Sequence, residues 1–476
     1  MAPDTLGAAR RRAAGRTRPP TGRGLAGQTV AGDALSLLPN SLRVLRHRDL
    51  RLVVLGNLVS QLGTWSQYVG VGWAAKQLTD SKFAIGVAFA APLAASLFLS
   101  PVAGVIADRV DRRKLVMWGN VAMAIPPFII GSLLMRDAIG VGMLIFLVFL
   151  GGVAQAITMP ATLALVPQLV PSDEVQQAVA LNSGLTNATR IIGPGIGGIA
   201  ISLWGIGWAF HLNAISFFAV VIAWAFVHVP GRPETVDTES FGARLRGGFD
   251  YARRNRNVGR LLLLTAVGAF CVMHAPLMPV IVKDVLHGDA ATYALMSSAP
   301  GVGALIGALL AGEITSGRAR RFTMGACSIG VAIALLAISL SRVVMVTAAS
   351  LVVFGFCFFL LSALITTVVV LATADEYRGR VMGFLSMANA GIVPVNAVAA
   401  GFLASFIGPQ WTVGMAATLL LTFSIWFIAA GKLSLVVGAG EEVEVDFPLP
   451  DATAGLDVLG LPSALADLGE SASAPT

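Results

Sequence analysis

Charge is scarce in this sequence: Lys, Arg, Asp and Glu together make up 12% of its 476 residues, where soluble domains carry about 25%. Cysteine is scarcer still, with Cys271, Cys327 and Cys357 all inside apolar runs and none in a C-x-x-C pair. That excludes a disulfide scaffold and a cysteine-held metal. The five histidines, His47, His211, His228, His274 and His287, are too scattered for a metal or catalytic cluster, so no enzyme, metal or cofactor is expected. No G-x-x-x-x-G-K-[ST] run occurs, which excludes a phosphate-cradling loop for ATP. The first half also has no acid at mid-depth of any apolar run.

What the chain has instead is apolar length. Hydrophobic residues reach 56% and the mean hydropathy is +0.78. Crossing a hydrocarbon layer of about 30 Å takes roughly 20 helical residues. Twelve such runs occur, at 52–75, 83–107, 115–135, 139–166, 178–204, 207–229, 260–283, 291–312, 322–341, 344–372, 381–407 and 411–431. Each is continuously apolar rather than alternating over about ten residues, so helices and not a β-barrel are predicted. The chain reads as an all-α polytopic membrane protein whose first partner is the lipid bilayer.

Basic residues are placed unevenly. Of 33 Lys and Arg, 27 fall in the two tails and the loops after even-numbered runs, five in the other loops, and Arg190 inside a run. Cytoplasmic loops keep positive charge, so both termini are predicted to be cytoplasmic in a multi-pass protein of the cell membrane. The same asymmetry accounts for the net charge of +7 without a nucleic-acid partner. Residues 1–45 read as a disordered basic tail, because the RRR at 10–12 has no apolar core behind it. Residues 434–476 read as a disordered acidic tail.

An internal repeat divides the rest. AGVIADRVDRRKL at 103 and AGEITSGRARRFT at 311 align Gly104 with Gly312, Ile106 with Ile314, Arg112 with Arg320 and Arg113 with Arg321. SDEVQQAVALN and ADEYRGRVMGF likewise pair Asp173 with Asp375 and Glu174 with Glu376. Two six-helix bundles, 46–229 and 258–433, are therefore predicted. Between them, 230–257 is a cytoplasmic linker in which Phe241, Leu245, Phe249 and Ala252 share one face of an amphipathic helix.

GVIADRVDRRKL resembles the loop signature of the major facilitator superfamily between helices 2 and 3, G-x-x-x-D-R-x-x-R-R/K, with Gly104, Asp108, Arg109, Arg112 and Arg113 on its positions. The resemblance implies two parallel six-helix repeats working by alternating access. It also implies a gating latch: Asp108 meets the start of helix 11, near Gly379 to Gly383, where free N–H groups carry positive charge, and the arginines pair with nearby acids. The second copy has Ser316 and Gly317 where Asp108 and Arg109 would stand, so only the first copy is expected to control closure.

LTNATRIIGPGIGG resembles the helix 5 motif associated with exporters, with Gly193, Pro194, Gly197 and Gly198 in place, Gly184 nine residues before Gly193, and Thr189 replacing one glycine. Glycines permit close helix approach, and Pro194 removes the hydrogen bond that the Arg190 carbonyl would accept. Two further stretches, 47–81 and 164–198, are similar to the enterobactin-exporter branch, also described as transmembrane secretion effectors, and the resemblance covers about 44–433. It implies proton-coupled export of a siderophore, drug or other secondary metabolite, by antiport, from a single copy of the chain. A solute importer and a transporter-like sensor or scaffold share the fold; the helix 5 motif favours export.

Polar residues inside the runs mark the predicted path, since lipid exposure costs them dearly. Arg190 lies about twelve residues into its run. Asn57, Gln61, Thr64 and Tyr68 share one face of the first run, and Gln155, Thr158 and Thr162 one face of the fourth. Asn182, Thr186 and Asn187 accompany Arg190. These residues are the predicted substrate cavity. Proton coupling is assigned to His274, Glu313 or Asp108. NAT at 187–189 is discarded as a glycosylation site because it is inside a run. GVGALIGALLAG at 301–312 is read as small-residue packing rather than nucleotide binding.

Overall fold

The computed structural model describes residues 43–227, 253, 255–373 and 375–431. The 230–257 linker, apart from its last residues, and both tails, apart from Arg43 to Leu45, lie outside the described residues, as do the side chains of Gly104, Asp108 and Asn187.

Twelve membrane-length helical segments run in order. In the first half they are α1 (Arg48–Leu78), α2 (Lys82–Arg109), α3 (Arg112–Leu134), α4 (Val141–Leu165), α5 (Val175–Trp204) and α6 (Ile206–Phe226). The second half holds α7a (Arg256–Cys271) and α7b (His274–Val280), α8 (Ala290–Ala311), α9 (Gly317–Leu340), α10 (Val344–Leu371), α11a (Asp375–Ala390) and α11b (Ile392–Ile407), and α12 (Pro409–Ala429). Among the described residues, ten spans are long and apolar enough to cross a membrane. The two long helices outside that set, α1 and α5, have 31 and 30 residues and carry the predicted polar path. Length without apolarity is what a helix facing a cavity requires.

Short polar residues start the helices. Ser81, Asp111, Asn255, Asp289 and Ser316 each accept a hydrogen bond from a backbone N–H of the following turn, at 2.9 to 3.2 Å. The joints α5–α6 and α11–α12 are single glycines at matching places in the two halves, Gly205 at φ 90° and Gly408 at φ 87°. An L side chain rarely adopts that backbone.

The halves repeat one packing plan. In the first, α2 packs on α4, and α3 on α4 and α6; in the second, α8 packs on α10, and α9 on α10 and α12. Where the expected seventh run was continuous, the structure breaks it between Cys271 and His274 and ends it in a wide turn over Ile281–Val285. Pro276 explains the break, because it cannot donate to the Val272 carbonyl four residues back. The eleventh run breaks at Gly391 for the same reason, since Pro394 gives the Ala390 carbonyl no donor. In the first half, α5 runs unbroken through Pro194.

The face where the described chain starts and ends is here called the terminal face, its opposite the distal face. The two halves meet through α2 on α11b and α5 on α8. Both contacts concentrate toward the distal face. A Cβ on Gly401 would fall 3.1 Å from Phe83 Cα and 3.2 Å from Gly86 Cα, so α2 and α11b nearly touch by their backbones there.

Candidate functional site

Between the halves lies a cavity of about 810 Å³, within the range of small-molecule pockets. It is bounded by α1, α5, α7, α8 and α10, and most of its wall is apolar: Ala304, Leu305, Leu309, Phe354, Phe358 and Phe359 among others. Arg190 of α5 is its one lining cation among the described residues. Its guanidinium lies 5.3 Å from the Trp65 ring centre and 5.5 Å from that of Phe359. Its Nε is buried and makes no hydrogen bond among the described residues. Two ring contacts, each about 0.5 to 2 kcal/mol, offset part of the roughly 2.5 to 3.5 kcal/mol that a central Arg costs to insert. The remaining donors are left to face the cavity.

His274 opens α7b just after the break and lines the same cavity. Its ring stands edge-on to Phe354 at 4.5 Å, and its buried Nδ1 makes no hydrogen bond among the described residues. Glu313, the other coupling candidate with a described side chain, is exposed beyond the end of α8 and does not line the cavity.

The predicted substrate cavity divides in two. Asn57, Gln61, Thr64, Gln155, Thr158, Thr162, Asn182 and Thr186 line a separate chamber of about 410 Å³ inside the first half, bounded by α1, α3, α4, α5 and α6. Arg190 alone of the predicted set with described side chains lines the central cavity. Tyr68 lines neither; it packs edge-on against Trp65 at 5.5 Å and Phe89 at 5.1 Å. Its place on the Asn57 stripe is overridden because α5 closes on α1 just beyond Thr64. A Cβ on Gly197 would sit 2.8 Å from Ser66 Cα, and one on Gly193 would run into Trp65. The helix 5 glycines thus seat α5 on α1, while Gly198 seats it on Ala294 of α8.

At the distal face the halves are joined by contacts that the sequence reading missed. Lys76 at the end of α1 reaches Asp284 at 3.1 Å and Asp80 at 2.9 Å. Asp80, in the loop, is held below the usual carboxylate range by that hydrogen bond. Lys283 lies 5.7 Å from the Trp73 ring centre, and Trp73 stacks on Tyr293 at 5.9 Å. Charges at the ends of the first and seventh runs were the available signal.

The terminal face is different. Gly383, on the helix end predicted to receive Asp108, is exposed, and a Cβ there would meet nothing within 4 Å. Of the latch residues, Arg109 is exposed and Arg112 half-buried. Arg113 corrects the expectation of an acidic partner: its Nε and Nη2 donate to the Trp224 and Ala225 carbonyls at 2.9 Å each. Those carbonyls end α6, where the helix dipole is negative. Glu174 binds Arg46, and His47 at 2.6 Å, joining the starts of α5 and α1 on this face.

A family described as transmembrane secretion effector matches residues 40–450. Macrolide efflux protein A of Streptococcus pyogenes is 22% identical over 335 residues, 68% of this chain and 82% of that protein. The enterobactin exporter EntS of Citrobacter koseri is 23% identical over 367 residues, 76% of this chain and 87% of that one. In fold, a crystal structure of the nucleoside transporter NupG aligns with a TM-score of 0.65 at 13% identity, covering 80% of this chain and 98% of the other.

Proposed function

The chain belongs to the transmembrane secretion effector family of major facilitator transporters, and from that premise we propose that it exports an organic molecule from the cytoplasm by alternating access. It is a multi-pass membrane protein, and its relatives include efflux proteins and exporters. The terminal face, which holds most of the described Lys and Arg, is the cytoplasmic one on this reading.

One observation carries the proposal: a cavity between two pseudo-symmetric halves that are joined at the distal face, holding Arg190, whose Nε makes no hydrogen bond among the described residues, between two aromatic rings. Such a chamber suits a molecule with an apolar or aromatic body and a negative or carbonyl-rich group. Guanidinium offers a planar fork to that group and stays charged. The aromatic wall of Phe354, Phe358 and Phe359 would hold the body. Proton antiport is assigned to His274, the titratable side chain on the cavity wall. Gating is assigned to the signature at Gly104 to Arg113, with Arg113 holding α3 to α6 while α2 moves.

The test is binding to the purified full-length protein in lipid nanodiscs. A panel of siderophores, drugs and lipids is screened, and each binder is titrated against wild type, Arg190→Lys and Arg190→Leu. Arg190→Leu is expected to lose anionic binders and Arg190→Lys to weaken them. Equal affinity in all three would make Arg190 a structural tether and remove the site.

A further inference from the structure

The chamber inside the first half shares no lining residue with the cavity between the halves. No charged side chain lines it. What it concentrates is carboxamide: Asn57 and Gln61 from α1, Gln155 from α4 and Asn182 from α5. Among the described residues none of these four amides makes a hydrogen bond. Their neighbours are different. Thr64, Thr158, Thr162 and Thr186 donate their hydroxyl protons back to carbonyls of their own helices, at 2.7 to 3.2 Å, and Asn120 donates to the Val116 carbonyl at 2.8 Å.

Four helices thus satisfy these four Thr hydroxyls and the Asn120 amide internally, while three helices point four amides into one space. The four amides face accessible space rather than closed packing, and helix packing alone would be served by apolar side chains. A carboxamide offers both donors and acceptors, and with no ion beside it the chamber penalises a charged guest, which would lose its hydration without a counter-charge. Gln155, Met159 and Leu163 on its α4 wall are exposed, so a guest can reach it.

We propose that this chamber is a second binding site, for an uncharged small molecule or substituent rich in hydroxyl and amide groups, distinct from the site at Arg190. About 410 Å³ admits a molecule of sugar size. Recognition is by hydrogen bonding alone, so affinity is set by the match of donors and acceptors and is indifferent to the guest's ability to pair with Arg190.

The experiment uses the full-length protein in phosphatidylcholine nanodiscs free of sugar-based detergent, and three sugars that differ in charge: N-acetylglucosamine, protonated glucosamine and glucuronate. Binding is read by titration calorimetry, and no transport is needed, so the outcome is separate from the export assignment. N-acetylglucosamine is expected to bind saturably and at least about tenfold more tightly than either charged sugar. Asn57→Leu, Gln155→Leu and Asn182→Leu are each expected to weaken it about three- to tenfold, the worth of one or two neutral hydrogen bonds. Replacing polar groups by Leu spares a membrane helix, and the conservative Gln155→Asn, which keeps the amide, is expected to retain most of the binding. Absence of saturable N-acetylglucosamine binding, equal binding of the three sugars, or full affinity in the Leu variants would each overturn the proposal.

Discussion

The first half keeps its two long polar helices whole; the second breaks the repeats of both and supplies its aromatic rings from a third, unbroken helix, α10. α1 and α5 run 31 and 30 residues without interruption, whereas their repeats, α7 and α11, are cut at Cys271–His274 and at Gly391. The amides Asn57, Gln61, Gln155 and Asn182 and the guanidinium of Arg190 come from the first half, while Phe354, Phe358, Phe359 and His274, with the hydroxyls of Ser297, Ser362 and Thr366, come from the second. On the proposed reading, two copies of one fold divide recognition from compliance. The first half would present the polar groups on continuous helices, and the broken half supplies places where a helix can change direction without losing further hydrogen bonds.

The comparison is broken most severely at Arg190. Arg190→Leu removes the one cation that lines the central cavity among the described residues, and transport of anionic substrates is expected to fall about tenfold to a hundredfold, the range for lost hydrogen bonds to a charged group. Uptake per folded molecule in vesicles checks it.

Next in size is the contact between the halves. Gly401→Leu would place a side chain against the Phe83 and Gly86 backbones, so the distal face is expected to stay open and transport to drop about tenfold. Cysteines introduced at Phe83 and Phe402, whose rings lie 6.5 Å apart, are expected to cross-link in the parent and not in Gly401→Leu.

A smaller effect is expected from the distal seal. Lys76→Ala removes a largely buried cation bound to Asp80 and Asp284, and the sealed population is expected to fall about threefold to fivefold, consistent with about 1 kcal/mol for a partly exposed pair. The same cross-link, followed in time, measures it. Adding salt is expected to mimic the change in part.

The smallest expected effect sharpens the comparison by making the second half resemble the first. Pro276→Ala lets residue 276 donate to the Val272 carbonyl, rejoining α7a to α7b. Stability is expected to rise slightly while transport slows about twofold to threefold. Thermal unfolding and vesicle uptake on one preparation separate the two.

Much of this fold is legible in the sequence because membrane burial writes it in long apolar runs. The twelve runs correspond to the twelve helical segments, and the repeat of the Gly104 to Arg113 stretch falls after the second and the eighth of them. The breaks were also written there, in Pro276 and Pro394, but hydropathy is blind to a missing N–H. The glycine joints at 205 and 408, each followed by a Trp three residues on, were a second repeat that went unread.

The candidate site is less legible. Helical spacing put Asn57, Gln61 and Thr64 on one face, and they line one chamber. The same spacing failed for Tyr68, because where a cavity stops depends on a neighbouring helix, here α5 seated by Gly193 and Gly197. Nor does spacing along one helix tell which of two cavities a residue reaches. Thr186 and Arg190 are one turn apart on α5, yet they line different chambers. Phe359, which flanks Arg190, comes from the other half and carries no mark of that role in its own segment.

The direction of transport tests the central claim most directly. Inverted membrane vesicles, whose interior corresponds to the outside of the cell, are energised with an acidic interior and offered the siderophore, drug and lipid panel beside right-side-out vesicles of the same preparation. The account predicts accumulation of at least one compound in the inverted vesicles, dependent on the proton gradient and lost in Arg190→Leu. Accumulation confined to the right-side-out vesicles would identify an importer and contradict it.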